Sequence, residues 1–122
     1  MSGIQLKPVA QVEQEITVPV PRGKGKFADK KMLVTYRLRP AAEMREFWET
    51  AADERPTDDQ LMRADILGVT RVTDVIEVEG DLEAVETPDL VDALMDVPYI
   101  RGPLIQGWGD TQNNRKVHAE KN

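Results

Sequence analysis

The apolar residues of this chain change their spacing once, and that change limits the fold more than any other feature. Ile16, Val18 and Val20 alternate with other residues, and so do Met32, Val34, Tyr36 and Leu38. A period of two marks a strand with one covered face. From Met44 the spacing becomes three and four. Met44, Phe47, Trp48, Ala51 and Ala52 fall at i, i+3, i+4, i+7 and i+8, one apolar stripe of a helix. Strands followed by helices predict an α+β domain, mainly α, with an N-terminal two-stranded β-hairpin and about four short helices.

The boundaries follow from local chemistry. Residues 1–14 show no clear period and read as a flexible leader. The hairpin is placed at 15–38. Pro19 and Pro21 cannot donate to a ladder, so its first strand belongs at an edge. Between the strands, Arg22, Lys24, Lys26, Lys30 and Lys31 stand against Asp29 alone, with two glycines among them, and read as a long basic loop. The helical part is placed at 40–109. Pro40 suits the first turn of a helix. Thr57 can cap the next, with Asp58 and Asp59 in its first turn. Leu61, Met62, Ile66, Val69, Val72 and Ile76 keep a helical spacing, which favours helix to about Ile76. The β-branched run from Val69 to Val78 would also suit a strand. Glu77 to Glu86 reads as an acidic connection, with Gly80 as its turn. Thr87-Pro88-Asp89 is a helix start, and Leu90, Val91, Leu94 and Met95 are its buried side. Tyr99, Ile100, Leu104, Ile105 and Trp108 form a last helix, weakened by Gly102, Pro103, Gly107 and Gly109. Residues 110–122 read as a polar, flexible tail.

The totals suit one domain. The 122 residues can bury a core without disulfide or metal, and there is no cysteine. The formal charge of −6, from 22 acidic and 16 basic residues, opposes general binding to phosphate backbones. No apolar run reaches the roughly 20 residues of a membrane span. The first residues lack an apolar signal core. These features predict a protein of the cytoplasm.

Chemistry for catalysis is sparse. His118, the one histidine, sits in the polar tail, and Ser2 is the one serine. The many acids sit at helix starts and connections and match no calcium loop or nucleotide signature. No enzyme activity, cofactor or metal is expected. Gly23-Lys24-Gly25-Lys26 lacks the frame of a phosphate loop. The basic loop could meet an acidic partner or nucleic acid, but a solvated loop is the favoured reading. Phe47, Trp48, Tyr99, Leu104 and Trp108 are the candidate partner-binding residues. Core positions suit most of the aromatics among them, with Trp108 the best placed for exposure.

One succession of motifs resembles a known family. Glu46-Phe47-Trp48-Glu49 is followed by an Asp-rich cap and Leu61 to Ile66. Then come the Val-rich Gly68 to Val75 and the phrase from Glu86-Thr87-Pro88-Asp89-Leu90 to Val97-Pro98. From Met32 to Trp108 this resembles phage tail assembly chaperones, in which two short strands precede a set of helices. The chain departs from their pattern at Arg71-Val72, where a tryptophan is common, and at Gly107-Trp108-Gly109. The resemblance implies a chaperone that binds the tape measure protein in the host cytoplasm. It also implies that the protein helps recruit subunits of the major tail protein and can form a homo-oligomer. Alternatives are a structural head–tail connector or tail terminator, or a small regulator using the basic loop 22–31 on nucleic acid.

Overall fold

The computed structural model describes residues 3–114. Two long strands open the fold, β1 (Gln11–Gly23) and β2 (Lys26–Arg37), paired antiparallel from Gln11↔Arg37 to Gly23↔Lys26. Lys24 and Gly25 make the turn with φ of 53° and 72°. A two-residue hairpin loop of the twist-matching type needs positive φ at both positions. The long basic loop expected at 22–31 is therefore a tight turn. Lys26, Lys30 and Lys31 belong to β2, because strand pairing satisfies their backbone better than an open loop. Likewise β1 begins inside the stretch expected as a leader. Gln14 is already buried and donates to Thr111 Oγ1 at 3.1 Å.

The sheet has a third strand, which corrects the expectation of a two-stranded hairpin in a mainly helical domain. After α1 (Ala41–Glu49) and α2 (Asp58–Asp65) the chain turns directly into β3 (Ile66–Thr70). It pairs antiparallel with β2, giving the order β1-β2-β3. The helix predicted to run to Ile76 stops at Asp65. The open edge of β2 offers a ladder to a β-branched segment, and that outweighs its helical spacing. The register slips between Thr35 and Tyr36, which face Gly68 and Ile66. Leu67 is the extra residue of this bulge and is turned outward, exposed.

Two helices complete the domain, α3 (Thr87–Met95) and α4 (Pro98–Gln112). Thr57 caps α2 as read, in a capping box with Gln60. Pro88 lies in the first turn of α3, but Glu86 occupies the cap position given to Thr87. α4 is the longest helix, at 15 residues, in spite of Pro103 within it. It reaches Gln112, past the point where the flexible tail was expected; residues 115–122, with His118, lie outside the described residues, as do Met1 and Ser2.

One face of the sheet is covered. Ile16, Val18, Met32, Val34 and Tyr36 are buried there against Ile100, Leu104 and Trp108 of α4, with Leu61, Met62, Val91 and Met95 extending the core. Gly107 makes the close approach possible. A methyl carbon there would stand 2.6 Å from Ile16 Cδ1 and nearer still to the Tyr36 hydroxyl. That hydroxyl donates to Leu104 O at 2.9 Å. Burial, and secondarily the charge of Asp110, hold the Tyr36 phenol well above its ordinary pKa. Among the described residues no helix is long and apolar enough to cross a membrane.

Candidate partner-binding surfaces

Three surfaces combine exposed apolar groups with charge. The first is α1. None of its residues is buried, although its apolar stripe predicts a core helix. Phe47 and Met44 are half-buried, while Trp48, Ala51 and Ala52 are exposed. The helix is held from outside its own face. Arg37 donates to Glu43 at 2.9 Å, and the Phe47 ring lies 5.9 Å from that of Trp108. That contact with Glu43, more than the nearby Asp65, raises the Arg37 pKa above its ordinary value. Arg55 closes the end of α1. Its guanidinium donates to the carbonyls of Phe47, Trp48 and Thr50 at 2.9–3.0 Å. Phe47 and Trp48 lie in the last turn of α1, whose carbonyls a helix terminus leaves short of donors, and Phe47 O otherwise receives only the Thr50 amide at 3.3 Å. The same group lies over the rings of Phe47 (5.3 Å) and Trp48 (5.1 Å). Trp48, 58% exposed, packs edge-on to Phe47.

Beneath α1 lies a buried charge. Asp65 has no exposed surface. It accepts from Arg39 Nε at 2.6 Å and Nη2 at 3.2 Å, from Trp108 Nε1 at 2.7 Å, and more distantly from Arg37 Nε at 3.4 Å. This joint ties the end of β2, the end of α2 and α4 together. It also explains why Trp108 is 7% exposed. The indole N–H has a buried carboxylate to satisfy, so Trp108 is a core residue and not the exposed one expected. Leu104 is fully buried as well. Tyr99 is half-buried and donates to Val75 O at 3.3 Å. Of the five candidate partner-binding residues, Trp48 alone presents a large open surface.

The second surface is the hairpin tip. All residues from Pro21 to Phe27 are exposed, and Phe27 is 62% exposed. Arg22, Lys24 and Lys26 are the basic residues of the same tip. Lys31 is turned to Thr17, donating to its Oγ1 at 2.7 Å. Arg22, Lys30 and Lys31 also border an open depression with Asp29, Arg71 and Asp74.

The third surface was not foreseen. An apolar groove of about 280 Å³ runs between α3 and the connection before it, lined by Ile76, Val78, Leu82, Val85, Leu90 and Val97 among others. Glu77, Glu79 and Asp89 stand at its rim. Its signal in the sequence is faint: single Val and Leu residues set among acids, which resemble a solvated connection. Arg55 was missed for a similar reason, because an arginine before a proline carries no mark of the helix it closes.

Among the described residues no group of three or more Asp, Glu, His or Cys side chains is placed to hold a metal ion. Comparison with known protein families, with curated proteins and with solved structures finds no match to this chain.

Proposed function

We propose that the protein is a tail assembly chaperone, which binds the tape measure protein and helps recruit tail tube subunits during phage tail morphogenesis, in the host cytoplasm and without catalysis. The observation that carries this reading is Trp48. It sits, mostly exposed, on a helix that covers almost no core, and Arg55 holds it in place. Trp and Arg are the residue types that most often anchor protein interfaces. A rigid indole on a short amphipathic helix suits repeated shallow contacts with the apolar face of a long helical client. Many weak contacts along one client add up through effective concentration. The net charge of −6 keeps a crowded coat of such molecules apart in solution. The motif order from Met32 to Trp108 supplies the identity of the client.

Co-expression tests it. The wild-type chain should keep a tape measure protein in the soluble fraction. Trp48→Ala and Arg55→Ala should lose most of that effect, with Trp48→Ala retaining the wild-type melting temperature. A client that aggregates equally with and without the wild-type chain would overturn the proposal. Mass spectrometry of purified phage particles separates the structural alternative, because a chaperone is absent from the finished particle.

A further inference from the structure

We propose that the groove beside α3 receives a short extended segment of another protein. That segment pairs with the backbone of residues 77–80, sinks one aliphatic side chain into the slot, and sets a lysine or arginine on either side of it against Glu77 and Glu79. Two independent observations carry this. The first is the backbone. Glu77, Val78 and Glu79 belong to no helix or strand. Among the described residues, the amides and carbonyls of residues 77–80 make no hydrogen bond. The side chains alternate as in a strand: Val78 packs half-buried against the core, between exposed Glu77 and Glu79. A run of unpaired backbone groups beside an apolar slot is a template for an added strand.

The second observation is charge. Residues 77–89 hold six carboxylates and no base. Arg63 meets Asp89 at 3.3 Å, but Glu77 and Glu79 have no ion pair among the described residues. In an added strand, residues opposite one another share a face. Bases flanking the buried side chain therefore fall opposite Glu77 and Glu79, and unlike charges placed so attract. The slot measures about 280 Å³, lined by Leu82, Val85, Leu90 and Val97 among others. Pockets for drug-sized ligands run from roughly 300 to 1,000 Å³, so this one suits an aliphatic side chain or two better than a whole small molecule. No residue of α1 lines it, so the site stands or falls apart from any tape measure client.

The test uses the full chain and a labelled peptide, acetyl-Lys-Val-Lys-Leu-Lys-Val-Lys-amide, followed by fluorescence polarisation and amide NMR at low salt. Saturable binding is expected, with shifts centred on Val78 and Gly80, and added salt should weaken it. Peptides with glutamate for lysine, or serine for the aliphatic residues, should bind on the order of tenfold more weakly or worse, and so should the chain with Glu77→Lys and Glu79→Lys. Ala93→Phe should block the slot, and Trp48→Ala should change nothing. All these positions are exposed, so circular dichroism should show unchanged folds. Two further peptides carry N-methyl groups on alternate amides, one along each edge. One should lose binding and the other keep it, because a single edge faces the chain. The proposal is overturned by a peptide that does not saturate, by a serine peptide that binds as tightly, or by two methylated peptides that both match their parent. It is overturned equally by shifts confined to α1, or by Val78 and Gly80 signals that move on dilution without peptide, the sign of a second copy in the groove.

Discussion

At Asp65 a single carboxylate decides whether three elements meet. It is fully buried and holds Arg39, Arg37 and Trp108 by hydrogen bonds. An amide in its place removes the charge and turns two hydrogens toward groups that can only donate. Asp65→Asn should lower unfolding stability by about 3–5 kcal/mol, the usual effect of breaking a buried pair from one side; urea denaturation measures it. Gly107 is set by contact in the same way. Alanine there gains about 1 kcal/mol of helix propensity but overpacks the Tyr36 hydroxyl and Ile16 by more, so Gly107→Ala should be net destabilising. The loss should shrink when Tyr36→Phe removes the hydroxyl. Tyr36 also has a pH signature. In the unfolded chain its phenol ionises near 10.0, whereas the folded chain keeps the proton. The unfolded state then binds fewer protons, so stability is level below that pH and falls above it, by about 1.4 kcal/mol per pH unit. The alkaline limb measured for Tyr36→Phe should be shallower by that amount.

Among the elements, the hairpin and α1 are opposites. The hairpin owes its register to a two-residue turn in which Lys24 adopts φ of 53°. That conformation costs a lysine about 1 kcal/mol or more, and asparagine tolerates it better. Lys24→Asn should therefore raise the melting temperature without altering the register. α1 is attached at Glu43, at Phe47 and through Arg55, and it buries none of its residues. Local opening is easiest where few apolar contacts must break. Amide hydrogen exchange should be fast across Ala41–Glu49 and slow across β2 and α4. Equal protection of α1 and α4 would mean that the outer helix is more firmly docked than its contacts imply, and would weaken its assignment as an adaptable client-binding face.

Over the whole molecule, α4 closes the fold, and its reach sets the domain limits. Thr111 accepts from Gln14 on β1. Gln112 accepts from the Arg39 amide at 2.9 Å and donates to the Arg37 carbonyl at 2.7 Å. Ending the chain after Gly109, where sequence patterning places the domain boundary, would strip these bonds from buried Gln14 and from the half-buried backbone at Arg37 and Arg39. That truncation should lower the melting temperature measurably. Much was nonetheless legible in advance. Alternation marked β1 and β2, Pro19 and Pro21 marked an edge, Thr57 marked the start of α2, and Thr87-Pro88 marked the start of α3. Each of these signals acts within a few residues, through backbone geometry and capping that need no distant partner. The remainder depended on contacts across the chain. Ile66–Thr70 became a strand because β2 had an open edge. Gly107 is tolerated within α4 because Tyr36 and Ile16 leave no room for a side chain there, and Trp108 turned inward because Asp65 accepts its N–H. Trp48 stayed outside because Trp108 already filled the core beneath it. The groove formed because α3 folded over scattered valines and leucines, making a surface that no local spacing announces. Local stereochemistry therefore determined where elements begin, and the choice of faces and surfaces fell to tertiary packing, because burial is a property of which segments meet.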